Sequence, residues 1–251
     1  MRAIDAVQAR RWYERWEHQQ ELYAGDRAER FDALLDVVEA ICQEPRVVLD
    51  LGSGPGSLAV RVAERFPTST VVAVDYDPFL LALGAAAHEG IHFAQCAIGA
   101  AGWTDAVSQY AGRIDAIVSS TALHYPAPHA LATIYADCSR LLGPASVLVN
   151  ADQFYPTDGQ WAEVLASIDD VRAERLSFSA PPEDWSRWWQ AVDGEVAFAD
   201  LLRRRATEVP AHTQDNNLSM DHHAALMQMA GFAKAGPVWQ HGRSAVIAAL
   251  T

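Results

Sequence analysis

The sequence predicts an α/β fold in which a mostly parallel sheet is covered by helices on both faces. Two observations lead to this prediction. Between residues 46 and 150, short and almost wholly apolar runs alternate with segments whose apolar residues recur at helical spacing. Near the end of the chain, only His241-Gly242-Arg243 separates two further apolar runs, which is too short for a helical crossover and predicts an antiparallel hairpin.

The first 45 residues are predicted to form an N-terminal helical lid. Apolar residues there follow two helical patterns, and Gly25-Asp26 separates them. Pro45 ends the second helix and introduces the first strand.

Residues 46–152 are predicted to form the core of the sheet. Five strands are expected at residues 47–51, 70–75, 91–96, 114–119 and 146–150. Pro78 suits the first turn of a helix, with Asp77 as its N-cap. A longer helix is expected to end at Gly143-Pro144.

The strand–helix alternation stops at residue 153 and returns after residue 210. Residues 153–210 hold four of the eight tryptophans and predict an inserted helical cap. Residues 211–251 are predicted to complete the core with one helix, from the N-cap Ser219 to Gly231, and two strands at 238–240 and 244–250. The sheet would then have seven strands.

Composition narrows the classes of partner. Half of the 251 residues are hydrophobic, which is enough for a large core, and the formal net charge is −13. Such acidity disfavours a nucleic acid or an anionic membrane as the main partner. The start of the chain lacks the apolar core of a signal peptide and no run reaches transmembrane length, so a cytoplasmic protein is expected.

Metal chemistry is not predicted. The three cysteines are widely spaced and fit no zinc or redox pattern, and they are expected to be free thiols. No group of histidines, cysteines and acids has the spacing of a metal site.

The segment between the first strand and the next helix carries the clearest motif. Asp50 is followed by Gly52, Gly54 and Gly56 at alternate positions. Glycines permit positive φ and let a ligand approach the backbone, and the N–H groups of the helix start are free to bind polar or anionic ligand atoms. Asp75, at the end of the second strand, is a candidate acceptor for both hydroxyls of a ribose. The alternative for Asp75 is a plain strand-end cap.

These motifs together resemble those of the class I S-adenosylmethionine-dependent methyltransferases. The glycine turn behind Asp50 looks like their first motif and Val-Ala-Val-Asp75 like their second. Residues 114–119 followed by 121–125 look like the fourth, and the closing helix and hairpin are similar to the family's last strands. The resemblance covers roughly residues 30–152 and 218–250. It implies a Rossmann-like, doubly wound seven-stranded sheet, mostly parallel with an antiparallel last strand, and S-adenosyl-L-methionine as the cofactor.

The resemblance also implies roles for individual residues. The methionine part of the cofactor would be held by Asp50, Gly52, Ser53, Gly54 and Gly56. Asp75 would bind the ribose, Tyr76 would pack on the adenine, and Ser119 and Ser120 would face the sulfonium. Many relatives have an acid after the third strand for the adenine amine. Here that place falls at Ala97 and Ile98, whose backbone atoms would serve instead.

The lid and the acceptor side offer further candidates. Arg30 would pair with the methionine carboxylate, the alternative being a plain surface arginine, and Tyr23 lies in the same lid. His124 is the candidate general base or substrate contact, the alternative being a packing role. Trp185 and Trp189 would form an aromatic wall for the substrate, or else dock the cap. His222 is a substrate candidate, with a surface or core role as its alternative.

The predicted function is methyl transfer from S-adenosylmethionine to O, N or C of a small, largely apolar organic molecule. Two alternatives use the same sheet: an NAD-dependent oxidoreductase, and a cofactor-binding or regulatory protein that does not transfer methyl groups. Methylation of tRNA or protein is a third, which the acidity disfavours for RNA. A homodimer is left open.

Overall fold

A seven-stranded sheet forms the centre of the computed structural model, which describes residues 4–23, 25–175, 183–209 and 215–251, with residues 22 and 23 described by their backbone alone. The strand order is β3-β2-β1-β4-β5-β7-β6, and β7 runs antiparallel to both of its neighbours. The strands are β1 (Val47–Leu51), β2 (Thr70–Asp75), β3 (Ile91–Gln95), β4 (Ile114–Ser120), β5 (Leu142–Gln153), β6 (Lys234–His241) and β7 (Ser244–Leu250).

Helices fill most of the remaining described chain. The α-helices are α1 (Ala6–Tyr23), α2 (Arg27–Cys42), α3 (Ser57–Arg65), α4 (Pro78–Ala87), α5 (Pro128–Leu141), α6 (Gly159–Arg175), α7 (Trp185–Asp193), α8 (Ala199–Glu208) and α9 (Met220–Met229). Two segments are 3₁₀-helical, Trp103–Tyr110 and Val196–Phe198.

The predicted fold class is confirmed, including the antiparallel hairpin at the end of the sheet. Two predicted helix starts also have the expected caps. The Asp77 carboxylate accepts the N–H groups of Phe79 and Leu80, and the Ser219 hydroxyl accepts that of His222. Both caps satisfy backbone donors that a helix leaves free at its first turn.

Strand bounds differ from prediction at the far side of the sheet. β5 runs over Leu142–Gln153, longer than the predicted 146–150, and β6 runs over Lys234–His241 rather than 238–240. β6 pairs with β7 from Lys234 to His241, and β5 pairs with β7 from Val147 to Gln153, so tertiary pairing extends both strands beyond their local patterns. The register between β6 and β7 shifts between Pro237 and Trp239, where proline has no N–H to donate.

Both faces of the sheet are buried, as the apolar strands predict. On one face, α2 and α3 pack through residues such as Phe31, Leu34 and Val62. On the other face, α5, α9 and the segment Trp103–Tyr110 supply most of the covering side chains. The carboxyl ends of the parallel strands are therefore the edge at which a ligand can enter.

A third apolar cluster joins the lid to the cap. Trp12 of α1, Phe79 of α4, Trp188 of α7 and Phe198 are all buried in it. The Trp12 ring lies 6.0 Å from Trp188 and 5.5 Å from Phe198, both in edge contacts. α1, α4, α7 and α8 thus pack together beside the carboxyl end of β2. Among the described residues, no helix is long and apolar enough to cross a membrane.

Candidate active site

The glycine turn between β1 and α3 has the backbone shape that its sequence predicts. Gly52, Gly54 and Gly56 have φ of 73°, 55° and 93°. The N–H groups of Gly52 and Ser53 donate to the Val74 carbonyl at 2.8 and 3.1 Å, which ties the turn to the end of β2. These φ values are costly for residues with a Cβ, so glycine is needed to build the turn.

The turn is also closely covered. A Cβ on Gly52 would lie 2.2 Å from the Cβ of Ala122, in the segment that follows β4. A Cβ on Gly54 would lie 3.7 Å from Cζ2 of Trp16, so α1 covers the middle of the turn. The Ser53 hydroxyl donates within the turn, to the Gly54 carbonyl at 3.4 Å.

Asp75 lies directly against this turn. Its Oδ2 accepts the Gly54 N–H at 2.7 Å and its Oδ1 accepts the Asp77 N–H at 2.9 Å. A carboxylate has about four acceptor sites, and the bonds from Gly54, Asp77 and Tyr76 leave a site for a ligand. Burial raises the pKa of Asp75, while its bonds to the Asp77 and Gly54 amides lower it, and the net shift is upward.

Asp50 is buried beneath the turn, with 1% of its surface exposed. Burial raises its pKa to about 7, against the lowering effect of the Ala59 amide of α3, and the charge of Asp75 raises it further. Its Oδ2 has no hydrogen-bond partner among the described residues. The carboxyl of Asp50 can therefore stabilise the turn through the Ala59 amide and use its free oxygen to accept a hydrogen bond from a ligand or a water.

The lid is joined to the start of α3 by a half-buried acid. Glu17 of α1 receives two hydrogen bonds from Arg27, at 2.9 and 3.0 Å, and one from the Ser57 hydroxyl. Arg61 of α3 lies 3.1 Å from the same carboxylate. Burial raises the pKa of Glu17, but Arg27, Ser57 and Arg61 lower it more, so this carboxylate stays charged.

The β3 side of the turn carries the residues predicted to meet an adenine. Tyr76 follows Asp75 and is 38% exposed, as a ring that packs on a ligand needs to be. Ala97 is exposed and Ile98 is half-buried against the core. Because both side chains are aliphatic, only their backbone atoms can meet the polar groups of a ligand.

The two serines that end β4 differ in their surroundings. The Ser119 hydroxyl is buried and donates to the Leu51 carbonyl at 2.8 Å, which joins β4 to β1. That bond explains why a serine is buried at position 119 without any ligand. Ser120 is half-buried at the very end of the strand. A contact of either hydroxyl with a sulfonium stays a prediction.

His124 lies beyond β4 and is paired with an acid that the sequence analysis did not single out. Its Nδ1 is 2.8 Å from Oδ1 of Asp152, which lies near the end of the neighbouring strand β5. Burial lowers the pKa of His124, but the charge and hydrogen bond of Asp152 raise it, and the net shift is upward. Such a pair fixes the tautomer of the ring and leaves Nε2 for a ligand.

The position of His124 is held by Asn216, just before α9. The Asn216 N–H donates to the His124 carbonyl at 2.7 Å. Its side-chain amide donates to the carbonyls of Leu123 and Pro126 at 2.9 and 3.0 Å. The segment after the cap therefore fixes the loop that carries the histidine.

Other buried polar groups surround this pair and were also missed. Within the described chain, three buried polar atoms have no hydrogen-bond partner: Oδ1 and Nδ2 of Asn150, and Oδ2 of Asp152. The Tyr135 hydroxyl lies 2.7 Å from Nδ1 of His223, whose pKa burial lowers to about 4. One signal for Asp152 was present in the sequence: like Asp50 and Asp75, it is an acid that follows an apolar run.

Arg30 is buried, with 1% of its surface exposed, and so is not a surface arginine. Its guanidinium donates to the Ser244 hydroxyl at 3.4 Å, and its Nε has no partner among described atoms. Burial lowers its pKa, and the charges of Asp26 and Asp152 oppose that shift. The structure thus groups Arg30 with the β5–β7 end of the site. The side chain of Tyr23 lies outside the described residues.

Comparison with known proteins agrees with this geometry. Residues 48–145 match the family model described as a methyltransferase domain. That range holds the glycine turn, Asp75 and His124. This part of the chain is therefore similar to methyltransferase domains.

Curated proteins that are similar to this chain match over part of their length. The trans-aconitate 2-methyltransferase of Acidovorax ebreus (strain TPSY) is 29% identical over 172 residues, which cover 63% of this chain and 63% of the relative. That of Methylobacterium radiotolerans is 32% identical over 162 residues, 64% of this chain and 53% of the relative. The chain thus spans between about half and two thirds of these relatives.

Solved structures show the same fold at low sequence identity. Human N-acetylserotonin methyltransferase in complex with SAM superposes with a TM-score of 0.57 at 14% identity, covering 96% of this chain and 56% of that one. An O-methyltransferase family protein from Burkholderia thailandensis gives 0.56 at 16%, covering 94% and 59%.

The remaining candidate site residues lie in the cap and on α9. Trp189 is buried between Phe79 and the guanidinium of Arg205, which lies 3.9 Å from the centre of its ring. Trp185 is 47% exposed and has Trp189 as an edge neighbour. These contacts are enough to explain Trp189 as a residue that docks the cap on the core. That Trp185 and Trp189 form an aromatic wall for the substrate stays a prediction.

His222 is exposed on α9, and its Nδ1 lies 2.8 Å from the N-cap hydroxyl of Ser219. The buried histidine of this helix is His223, one position further on. A substrate contact of His222 stays a prediction. Within the described ranges, no group of three or more histidines, cysteines or acids could hold a metal ion, and the three cysteines are unpaired with one another.

Proposed function

We propose that this protein transfers a methyl group from S-adenosylmethionine to an O, N or C atom of a small organic molecule. One observation carries the proposal: the glycine turn at positive φ meets the Asp75 carboxylate through the Gly54 N–H at 2.7 Å. That arrangement sets a carboxylate acceptor beside the N-terminus of α3, which suits a ligand with both a charged end and a ribose.

The residues present fit the cofactor. The turn is built from glycines at positive φ, and a Cβ on Gly52 would overlap Ala122. Asp75 beside it keeps an acceptor site for a ribose hydroxyl. Tyr76 offers a partly exposed ring beside them. When bound, the cofactor supplies a methyl group already activated by a sulfonium. The protein has to orient the acceptor toward that methyl and keep water away.

The acceptor is proposed to bind beyond β4 and β5, at His124. Asp152 holds the Nδ1 side of the ring, so Nε2 faces the acceptor. Nε2 can take a proton from an acceptor hydroxyl or ammonium, and the oxygen or the resulting amine then attacks the methyl group. Arg30 and Asn150 bring unpartnered polar atoms to the same end of the sheet. We therefore propose that the reacting end of the acceptor is polar.

As an alternative acceptor we propose a carboxylic acid. The buried guanidinium of Arg30 suits a carboxylate, which needs no base to be nucleophilic. The matched relatives include trans-aconitate 2-methyltransferases and the malonyl-[acyl-carrier protein] O-methyltransferase of Geobacter sulfurreducens. The net charge of −13 disfavours a nucleic-acid acceptor. That the protein forms a homodimer stays a prediction, which sedimentation velocity would check by measuring the mass in solution.

Two measurements test the proposal. Calorimetry with S-adenosylhomocysteine should give saturable binding at one site per chain. Incubation with S-adenosylmethionine and a panel of small acids, phenols and amines should release S-adenosylhomocysteine and a product heavier by one methylene. Absence of binding would refute the cofactor assignment, and NADH binding in its place would favour the oxidoreductase alternative.

A further inference from the structure

The end of β3 lies where the base of a bound nucleoside would extend. Gln95, the last residue of β3, pairs in register with Asp75, the last residue of β2. A ribose held by Asp75 has the glycine turn of β1 on one side and β3 on the other. With the charged end of the ligand at the turn, the base is left to lie toward Tyr76 and Gln95.

The segment after β3 has few side-chain groups that could form hydrogen bonds with a base. Residues 96–100 read Cys-Ala-Ile-Gly-Ala, without a carboxylate or an amide side chain. A purine that carries an exocyclic amine presents two N–H donors, and side-chain oxygens are the usual acceptors for them. A side-chain acceptor has to come from elsewhere in the fold.

Helix α8 of the cap brings such an acceptor to this position. Nε2 of Gln95 donates to Oε2 of Glu208 at 2.7 Å and to the Tyr76 carbonyl at 3.2 Å. Arg204 donates to the other oxygen of Glu208 at 2.6 Å and also to Oε1 of Gln95. The carboxylate and the amide are therefore oriented side by side, next to the backbone of Tyr76.

A second contact fixes α8 to the same edge of the sheet. Nε of Arg205 donates to Oδ2 of Asp77 at 2.6 Å, two residues beyond Asp75. The same guanidinium lies over the Trp189 ring. Because Asp77 also caps α4, the position of α8 is tied to the element that follows the ribose-binding acid. Glu208 is thus held at the sheet by its own helix.

We propose that Gln95 and Glu208 form the subsite for the exocyclic amine of the cofactor's adenine, so that the cap recognises the base. The proposal rests on the proposed function, since it needs the cofactor to bind at Asp75. The amine would donate to the Glu208 carboxylate and to Oε1 of Gln95. A base with a carbonyl oxygen in place of the amine would instead set that oxygen against the carboxylate.

The test compares two ligands by calorimetry: S-adenosylhomocysteine, and S-inosylhomocysteine, which has the carbonyl. The unaltered protein should bind the adenine ligand about tenfold or more tightly, the size expected of hydrogen bonds to a charged group. In Glu208→Gln the ratio should fall toward one, because an amide can also donate to the carbonyl. Asp200→Asn is the matched control, since this acid of α8 pairs with Arg203 and should leave the ratio unchanged.

Each result has one meaning. No binding of S-adenosylhomocysteine by the unaltered protein would refute the proposed function itself. Binding without discrimination, or an unchanged ratio in Glu208→Gln, would overturn the subsite alone. If Glu208→Gln does not fold, as circular dichroism would show, Gln95→Met removes the partner amide and should lower the ratio by the same mechanism. An unchanged ratio there would overturn the subsite equally.

Discussion

Gly52→Ala is the sharpest perturbation of the cofactor site. The new Cβ would lie 2.2 Å from the Cβ of Ala122, and the residue has a φ of 73°. The left-handed conformation costs a residue with a Cβ about 1–2 kcal/mol. Overpacking adds about 1–3 kcal/mol. The free energy of unfolding should therefore fall by about 2–5 kcal/mol in total.

Gly90→Ala separates the two effects. Gly90 has a φ of 80°, but a Cβ at this position would have nothing within 4 Å of it. The substitution should cost only the conformational part, about 1–2 kcal/mol. Urea denaturation and calorimetry with S-adenosylhomocysteine check both variants. Gly52→Ala should also lose at least tenfold in affinity, because Ala122 and the turn must move apart. Equal stability and equal affinity in the two variants would refute the reasoning.

Three further changes test other parts of the site. Asp75→Ala should weaken S-adenosylhomocysteine binding at least tenfold, since a hydrogen bond to a charged group contributes about 1.5–3 kcal/mol, whereas the exposed acid Asp36 should tolerate alanine. Asp152→Asn removes the charge that raises the pKa of His124. If neutral His124 is the base, the rise of kcat/KM with pH should then move to lower pH, and an unmoved profile would exclude the pair as the titrating group. Trp188→Ala, at a wholly buried ring, should lower the free energy of unfolding by about 3–5 kcal/mol. Trp161→Ala, at a ring that is 56% exposed, should change it by less than about 0.5 kcal/mol.

The parallel core was predictable because its signals are local. Apolar runs, the glycine turn and the cap residues Asp77 and Ser219 each determine structure within a few positions. The long strand β5 was predicted too short at both ends. Its first residue Leu142 pairs with Ile114 of β4, and Ala151 to Gln153 pair with β7, which are contacts between distant positions.

The acceptor side was less predictable because its contacts join distant residues. Asp152 meets His124 only after two neighbouring strands align, and Glu208 meets Gln95 across 113 positions. On α9 the sequence offered two adjacent histidines. Helical periodicity left open which one faces the core, and packing against Tyr135 and Phe154 selected His223.

The placement of Trp16 over Gly54 has a consequence for turnover. A cofactor bound in the turn would lie beneath α1, so spent cofactor can leave only after this helix has moved. The same helix carries Glu17, whose bonds to Arg27 and Ser57 would have to break in each cycle. In many enzymes such an opening, rather than the chemical step, sets the rate. We expect the release of S-adenosylhomocysteine to be the slow step here. Its rate would then depend on the ion pair between Glu17 and Arg27, which does not contact the acceptor.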